Sequence, residues 1–245
     1  MIQNRFALWL GIGCVTAVAI APALAGEQRA VIELFTSQGC SSCPTADKLL
    51  GDLSSDGSLV TLSLPIDYWD YLGWKDTLAL PDHAVRQRAY AATRGDREVY
   101  TPQVVINGVI HAVGSDKAAI ERAIAESRSN AATMSEPVKL AVSGQYITVN
   151  LAALASAVHG VVWLCGVKKS EPVKIGRGEN RGKTITYHNV VRGWHKLGEW
   201  DGKPASWQVS LSDLKSSADE AAVIVQEHPG GHPGRVLGAA IIALP

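Results

Sequence analysis

Apolar residues along this chain follow two rhythms, and the change between them falls near Asn130 to Pro137. Ahead of that point, strand-like and helix-like spacings alternate. Arg29 to Phe35 reads as a buried strand. Ala46, Leu49, Leu50 and Leu53 recur at i, i+3, i+4 and i+7, the spacing of one helix face, so Thr45 to Leu53 is predicted helical. Ser58 to Leu64 is a second strand. Pro81 to Ala92 is helix-compatible, with Pro81 suited to the first helical position. Gln103 to Ile106 and Val109 to Ala112 flank Asn107-Gly108, and Asn-Gly between apolar runs predicts a tight hairpin because both turn positions need positive φ. Ser115 or Asp116 then caps a helix whose inner face is Ala119, Ile120, Ala123 and Ile124. The order β-α-β-α-β-β-α predicts a mixed sheet with helices on both faces.

After Pro137 the helical spacing stops. Short apolar or alternating runs follow at Val138 to Val142, Tyr146 to Ala152, Val161 to Val167, Thr184 to Val191, Trp207 to Leu211, Ala221 to Gln226 and Val236 to Ile242. Turn residues separate them, which predicts an all-β sandwich-like unit. The expected organisation is therefore a segment 1–25, an α/β domain over 26–133 and a β-sandwich-like domain over 134–245.

Residues 1–25 carry Arg5, an apolar run from Phe6 to Ala21, and Ala23-Leu24-Ala25 before Gly26. That is the layout of a secretory signal peptide; the other reading is a membrane anchor, for which the run is short. Cys14 follows Gly11-Ile12-Gly13, a poor match to a lipidation site. Formal charges balance at 23 basic and 23 acidic residues, so no basic excess points to nucleic acid or an anionic membrane surface. Past the first segment no second long apolar run exists, and no stable membrane insertion is expected. Export places the chain in an oxidising compartment, periplasmic or secreted, where disulfides persist. Cys40, Cys43 and Cys165 then remain; Cys165 lies in an apolar run and is expected to be a buried, inert thiol.

The chemistry centres on Gly39-Cys40-Ser41-Ser42-Cys43-Pro44, between a buried strand and an amphipathic helix. Two cysteines three apart at a helix start can close a small disulfide. The unpaired N–H groups and positive end of the helix favour a thiolate at Cys40, the more exposed of the two. Cys40 would attack a partner disulfide and Cys43 would resolve the mixed disulfide. Half a zinc site and a purely structural disulfide are the rival readings. No second Cys-x-x-Cys exists, and the nearest histidine is His83, 40 residues downstream of Cys43. No metal or other cofactor is expected.

A second motif, Tyr100-Thr101-Pro102-Gln103-Val104-Val105-Ile106-Asn107-Gly108, sets a proline directly before a strand and hairpin. Together the two motifs resemble the thioredoxin superfamily. The resemblance implies a thioredoxin-like fold for the first domain, a cis Pro102 beside the disulfide and a backbone contact from Thr101 to a bound polypeptide. Glu33-Leu34-Phe35-Thr36-Ser37-Gln38-Gly39-Cys40-Ser41-Ser42-Cys43-Pro44 and the Asp67 to Asp76 segment also resemble a family of bacterial exported thioredoxin-like proteins of unassigned function. That family often has a second proline where Thr45 stands here. Some thioredoxins use a buried carboxylate beneath the disulfide as a proton relay, and Glu33 is the candidate, either as general base or as a salt-bridged edge residue.

Tyr68, Trp69, Tyr71 and Trp74 form either an aromatic wall for a partner peptide or the core of an inserted segment. His83, Arg86 and Arg88 are expected to be solvated helix positions. Gly176 to Gly182 is a polar, glycine-rich loop of no readable role. His188, His195, His228 and His232 read as loop or strand-end histidines, with a metal site as the sharper alternative. The function expected is that of an exported thiol–disulfide oxidoreductase whose partners are exported proteins carrying thiols or disulfides. The alternative is a non-enzymatic Cu(I)-binding or interaction module; only Met1 and Met134 are present as thioether ligands.

Overall fold

The computed structural model describes residues 28–154, 158–214 and 218–245; the segment 1–25 assigned to export lies outside them. Strand β1 (Ala30–Thr36) is buried on both faces. Its Ala30, Ile32 and Leu34 meet helix α1 (Cys43–Leu53) through Ala46, Leu50 and Leu53, and helix α3 (Lys117–Ser127) through Ile120, Ala123 and Ile124. Val31 and Phe35 turn to the other face, where helix α2 (Pro81–Arg94) supplies Ala84 and Tyr90. Strand β2 (Leu59–Pro65) runs parallel to β1, the pairing that a crossover through α1 produces. Strands β3 (Gln103–Ile106) and β4 (Ile110–Val113) form the hairpin, with β3 antiparallel to β1. Asn107 and Gly108 both have positive φ, 49° and 73°. The Asp116 side chain accepts from Ala119 N at 2.9 Å, which caps α3.

The later strands are β5 (Lys139–Ser143), β6 (Tyr146–Leu151), β7 (Gly160–Lys174), β8 (Thr184–Trp200), β9 (Ala205–Ser210), β10 (Glu220–Glu227) and β11 (Val236–Ala243). They do not make a separate sandwich. The large sheet runs β11-β10-β7-β8-β2-β1-β3-β4, and only β5-β6-β9 form a second sheet. The seam is the parallel bridge between Ser63 of β2 and Val190 of β8. The division at residue 133 is thus corrected to one shared sheet.

The physical reason lies in the runs themselves. β10 is buried on both faces: Ala221, Val223 and Val225 pack against the small sheet, while Ala222 and Ile224 join the α2-side core with Val31 and Phe35. A strand that is apolar on both faces belongs inside a layered sheet, not on a half-solvated sandwich. β7 and β8 also extend well past their apolar stretches, to 15 and 17 residues, because their far ends form a ribbon reaching beyond the sheet. The Asn107-Gly108 turn docks on the C-terminal segment. Val236 N donates to Asn107 O at 2.9 Å, and a Cβ on Gly108 would stand 2.0 Å from Gly234 O. Among the described residues, no helix is long and apolar enough to cross a membrane.

Candidate functional site

Cys40 and Cys43 are joined by a disulfide, with Cα atoms 5.4 Å apart. Cys43 opens α1, and Pro44 follows where its missing N–H leaves no helical bond unmade. Ser42 occupies the N-cap without bonding a helix N–H; its Oγ lies 3.4 Å from Cys40 Sγ instead. Cys40 is 4 % exposed and Cys43 fully buried. Two distant segments close over them.

The first covering segment is the aromatic one. A Cβ on Gly39 would stand 3.0 Å from Trp69 Cβ and 3.3 Å from Trp69 O, so Trp69 lies directly against the cysteine loop. Trp69 Nε1 donates to Thr101 Oγ1 at 2.7 Å, which joins that loop to the cis Thr101–Pro102 peptide. Pro102 is buried, and its Cβ and that of Ala46 in the first turn of α1 both come within 3.2 Å of a Cβ placed on Gly114. The four aromatics divide their work. Tyr68 and Trp69 lean on the α2-side core, Trp74 Nε1 donates to Gln38 Oε1 at 2.8 Å, and Tyr71 stacks on Trp69 while 75 % exposed. Val99 and Val113, also exposed, lie in the chain on either side of the Thr101–Pro102 turn and its hairpin.

The second is the glycine-rich tip of the β7–β8 ribbon. Asn180 is fully buried, and its Nδ2 donates to Gln38 O at 3.0 Å and to Cys40 O at 2.8 Å. Glu179 Oε2 accepts from Ser41 N at 3.2 Å.

Glu33 is not beneath the disulfide. Strand alternation turns it to the α2 face, where Arg86 Nε binds it at 2.7 Å and the Tyr90 hydroxyl donates to its other oxygen. Burial lowers the Arg86 guanidinium, but the Glu33 charge, the Tyr90 phenol, the hydrogen bond to Glu33 and the Cys165 thiol together outweigh this, and the net direction is up. Arg86 also stacks on Trp194 at 4.5 Å and donates to Gln226 Oε1 at 3.0 Å. Arg86 is therefore a buried anchor between α2, β1 and β10 rather than a solvated position. His83 is corrected likewise: it is fully buried, with Nδ1 2.9 Å from Pro65 O. Arg88 is exposed.

The carboxylate on the α1 side is Asp47. It stands four residues after Cys43, on the same face of the helix, and is 2 % exposed. Neither of its oxygens has a hydrogen-bond partner among the described residues, and the hydroxyls of Thr36, Ser63 and Tyr187 are buried and unpartnered too. Burial, with the charge of Asp76 added, pushes the Asp47 carboxyl up to about 8, and the nearby Thr36 hydroxyl only partly offsets this. Asp76 is pushed up to about 6 by burial, although it accepts from the backbone N–H groups of Gln38, Leu78 and Ala79. Burial raises the Tyr187 phenol, with Asp47 and Asp76 as further causes. Asp47, Thr36, Asp76 and Tyr187 thus lie close enough behind α1 to act on one another.

A family model described as "Protein of unknown function (DUF1223)" matches residues 31–226. The chain belongs to this family. No curated protein matches it. The crystal structure of protein AGR_C_4864 from Agrobacterium tumefaciens is similar, at 30 % identity and TM-score 0.80, over 88 % of this chain and 94 % of that one. A β-glucosidase from Kluyveromyces marxianus matches over 44 % of this chain at 13 % identity, with a TM-score of only 0.22. In this DUF1223 chain, both segments that cover the disulfide fall inside the matched region.

Cys165 lies in the α2-side core, its thiol 3.6 Å from Ala222 O, and burial followed by the Glu33 charge pushes that thiol up to about 12. Among the described residues, no group of three His, Cys, Asp or Glu side chains is placed to hold a metal ion. Sequence reasoning marked Trp69 within an aromatic segment but missed Asp47, Glu179 and Asn180 as site residues.

Proposed function

We propose that this protein exchanges disulfides with other polypeptides through Cys40 and Cys43, on a thioredoxin-like scaffold. The observation that carries the reading is the convergence of three parts: a disulfide at the start of α1, the Thr101–Pro102 turn, and Trp69, which hydrogen-bonds Thr101 and lies against Gly39 of the cysteine loop. The β2-β1-β3-β4 order, with one parallel and two antiparallel pairings, supports the scaffold. The exposed Tyr71, Val99 and Val113 offer apolar contact to a partner chain.

In the reducing direction, the Cys40 thiolate attacks one sulfur of the partner's disulfide, and the other leaves as a thiolate that takes a proton. The Ser42 hydroxyl donates to Cys40 Sγ and steadies its charge. Cys43 then attacks Cys40 of the mixed disulfide, releasing the second partner thiol. Cys43 must lose a proton to do so, yet it is fully buried. Asp47, one helical turn behind it and ionised for the purpose, accepts that proton and returns it in the reverse direction. Glu33, spent in its ion pair with Arg86, takes no part. We place this exchange outside the cytoplasm, with exported proteins as partners, because residues 1–25 have the layout of an export signal.

Insulin reduction by the purified protein tests the activity, and trapping tests the roles. Cys43→Ser should accumulate mixed disulfides with partner proteins on non-reducing gels, while Cys40→Ser accumulates none. Adducts on Cys40→Ser alone would reverse the roles. No insulin reduction and no adducts on either variant would remove the exchange function.

A further inference from the structure

The tip of the β7–β8 ribbon is a closed, ordered loop. Ile175 N donates to Lys183 O at 2.9 Å, Gly182 N to Ile175 O at 2.8 Å, and Lys183 N to Asn180 O at 3.1 Å. It is seated on Trp74, since a Cβ on Gly176 would stand 2.9 Å from that ring. Asn180 uses its whole amide. Both N–H groups go to the carbonyls of Gln38 and Cys40, and Oδ1 accepts from Lys183 Nζ at 2.9 Å. No other side chain of that size offers two donors and an acceptor in this geometry. An aspartate there would set a carboxylate against two carbonyl oxygens.

Glu179, one residue earlier, brings a carboxylate to Ser41 N–H, between the two cysteines. A negative charge on Cys40 would be stabilised by the N–H groups at the head of α1 and by the Ser42 hydroxyl. The Glu179 carboxylate acts against this: bound to Ser41 N–H, one residue past Cys40, it sets a like charge near the head of the helix. A like charge disfavours the thiolate, and what disfavours the thiolate favours the disulfide over the dithiol.

We propose that Glu179 and Asn180 are part of the redox site. Asn180 positions the Cys40 backbone, and Glu179 tunes the Cys40–Cys43 couple toward lower reduction potential. This rests on the exchange function proposed above and gives it a direction. The dithiol donates two electrons and two protons to a partner disulfide, and Cys40 and Cys43 are left oxidised. The reaction that must precede it is reduction of this disulfide by a second protein dithiol of still lower potential.

The test uses the full chain in three forms: unaltered, Glu179→Gln, and Glu199→Gln at the far end of the same ribbon, where β8 pairs with Val161. Each is equilibrated with reduced and oxidised glutathione, and the Cys40 alkylation rate is followed against pH after reduction. Glu179→Gln should shift the equilibrium toward the dithiol by about two- to fivefold, the size of a single charge at a helix N-terminus. Its alkylation profile should move to lower pH, and both changes should shrink at high salt. Glu199→Gln should match the unaltered chain. Equal equilibria for the unaltered chain and Glu179→Gln, or equal shifts for the two variants, would overturn the tuning role while leaving exchange intact. An unaltered chain that never equilibrates with glutathione overturns exchange and tuning together.

Discussion

Asp47→Asn is the most informative single change. The Asp47 carboxyl is pushed from 3.8 to about 8 by burial first and by Asp76 second. An unfolded chain releases this proton near pH 3.8, whereas the folded chain holds it to about pH 8. The folded state therefore binds more protons across that window, so stability falls as pH rises through it and levels off above. At pH 7 this one residue costs about 4 kcal/mol relative to acid conditions. An asparagine carries no such linkage. Its buried amide N–H groups cost about 1–3 kcal/mol if unpaired, and the orphaned oxygens of Thr36, Ser63 and Tyr187 are present to accept from them. Asp47→Asn should thus be about 2 kcal/mol more stable than the unaltered chain at pH 7 and about 1–2 kcal/mol less stable near pH 4. Urea unfolding of the oxidised protein, followed by tryptophan fluorescence from pH 4 to pH 9, reads this directly. A shallow slope between pH 4 and 6 should survive, because Asp76 is still raised to about 6. The same variant should lose the step near pH 8 in the rate at which Cys43 resolves mixed disulfides. A stability profile parallel to that of the unaltered chain would refute both the linkage and the proton-transfer role.

Other outcomes follow from the opposite face of the sheet. Arg86→Met leaves Glu33 buried without its cation, and the loss of such a partner costs about 3–5 kcal/mol. Calorimetry should show that loss, while the glutathione equilibrium of the folded variant stays unchanged. Cys165, fully buried and raised to about 12, should resist thiol reagents in the native oxidised protein and react only on unfolding. Rapid native labelling would overturn its burial.

Much of the first half was legible because its signals are local. The i, i+3, i+4 face of α1, Pro81 at the head of α2 and the Asn107-Gly108 turn each state their structure within a few residues. Glu33 shows where this runs out. Period-two alternation puts it opposite Ile32 and Leu34, but nothing local says which face α1 will cover, and α1 took the other one. Asp47 was within reach, since it is one turn from Cys43 on the buried stripe that includes Ala46 and Leu50; its charge argued for solvent. Asn180 and Glu179 lie about 140 residues from Cys40, and only a glycine-rich composition marked their loop. The single bridge from Ser63 to Val190 was equally silent, because pairing along a strand edge uses backbone groups that every residue carries.

That bridge has a consequence for the order in which the chain is made. Residues 30–133 emerge first, with the β2 edge unpaired and with Val31, Phe35, Val60 and Leu62 lacking the Ala222, Ile224 and Val236 that cover them. An open strand edge beside a bare apolar face invites pairing with other chains. The first half thus stays a hazard to its neighbours until β10 and β11, which follow it in the chain, have been delivered. A chaperone that shields nascent chains would matter more here than for a protein whose halves close independently.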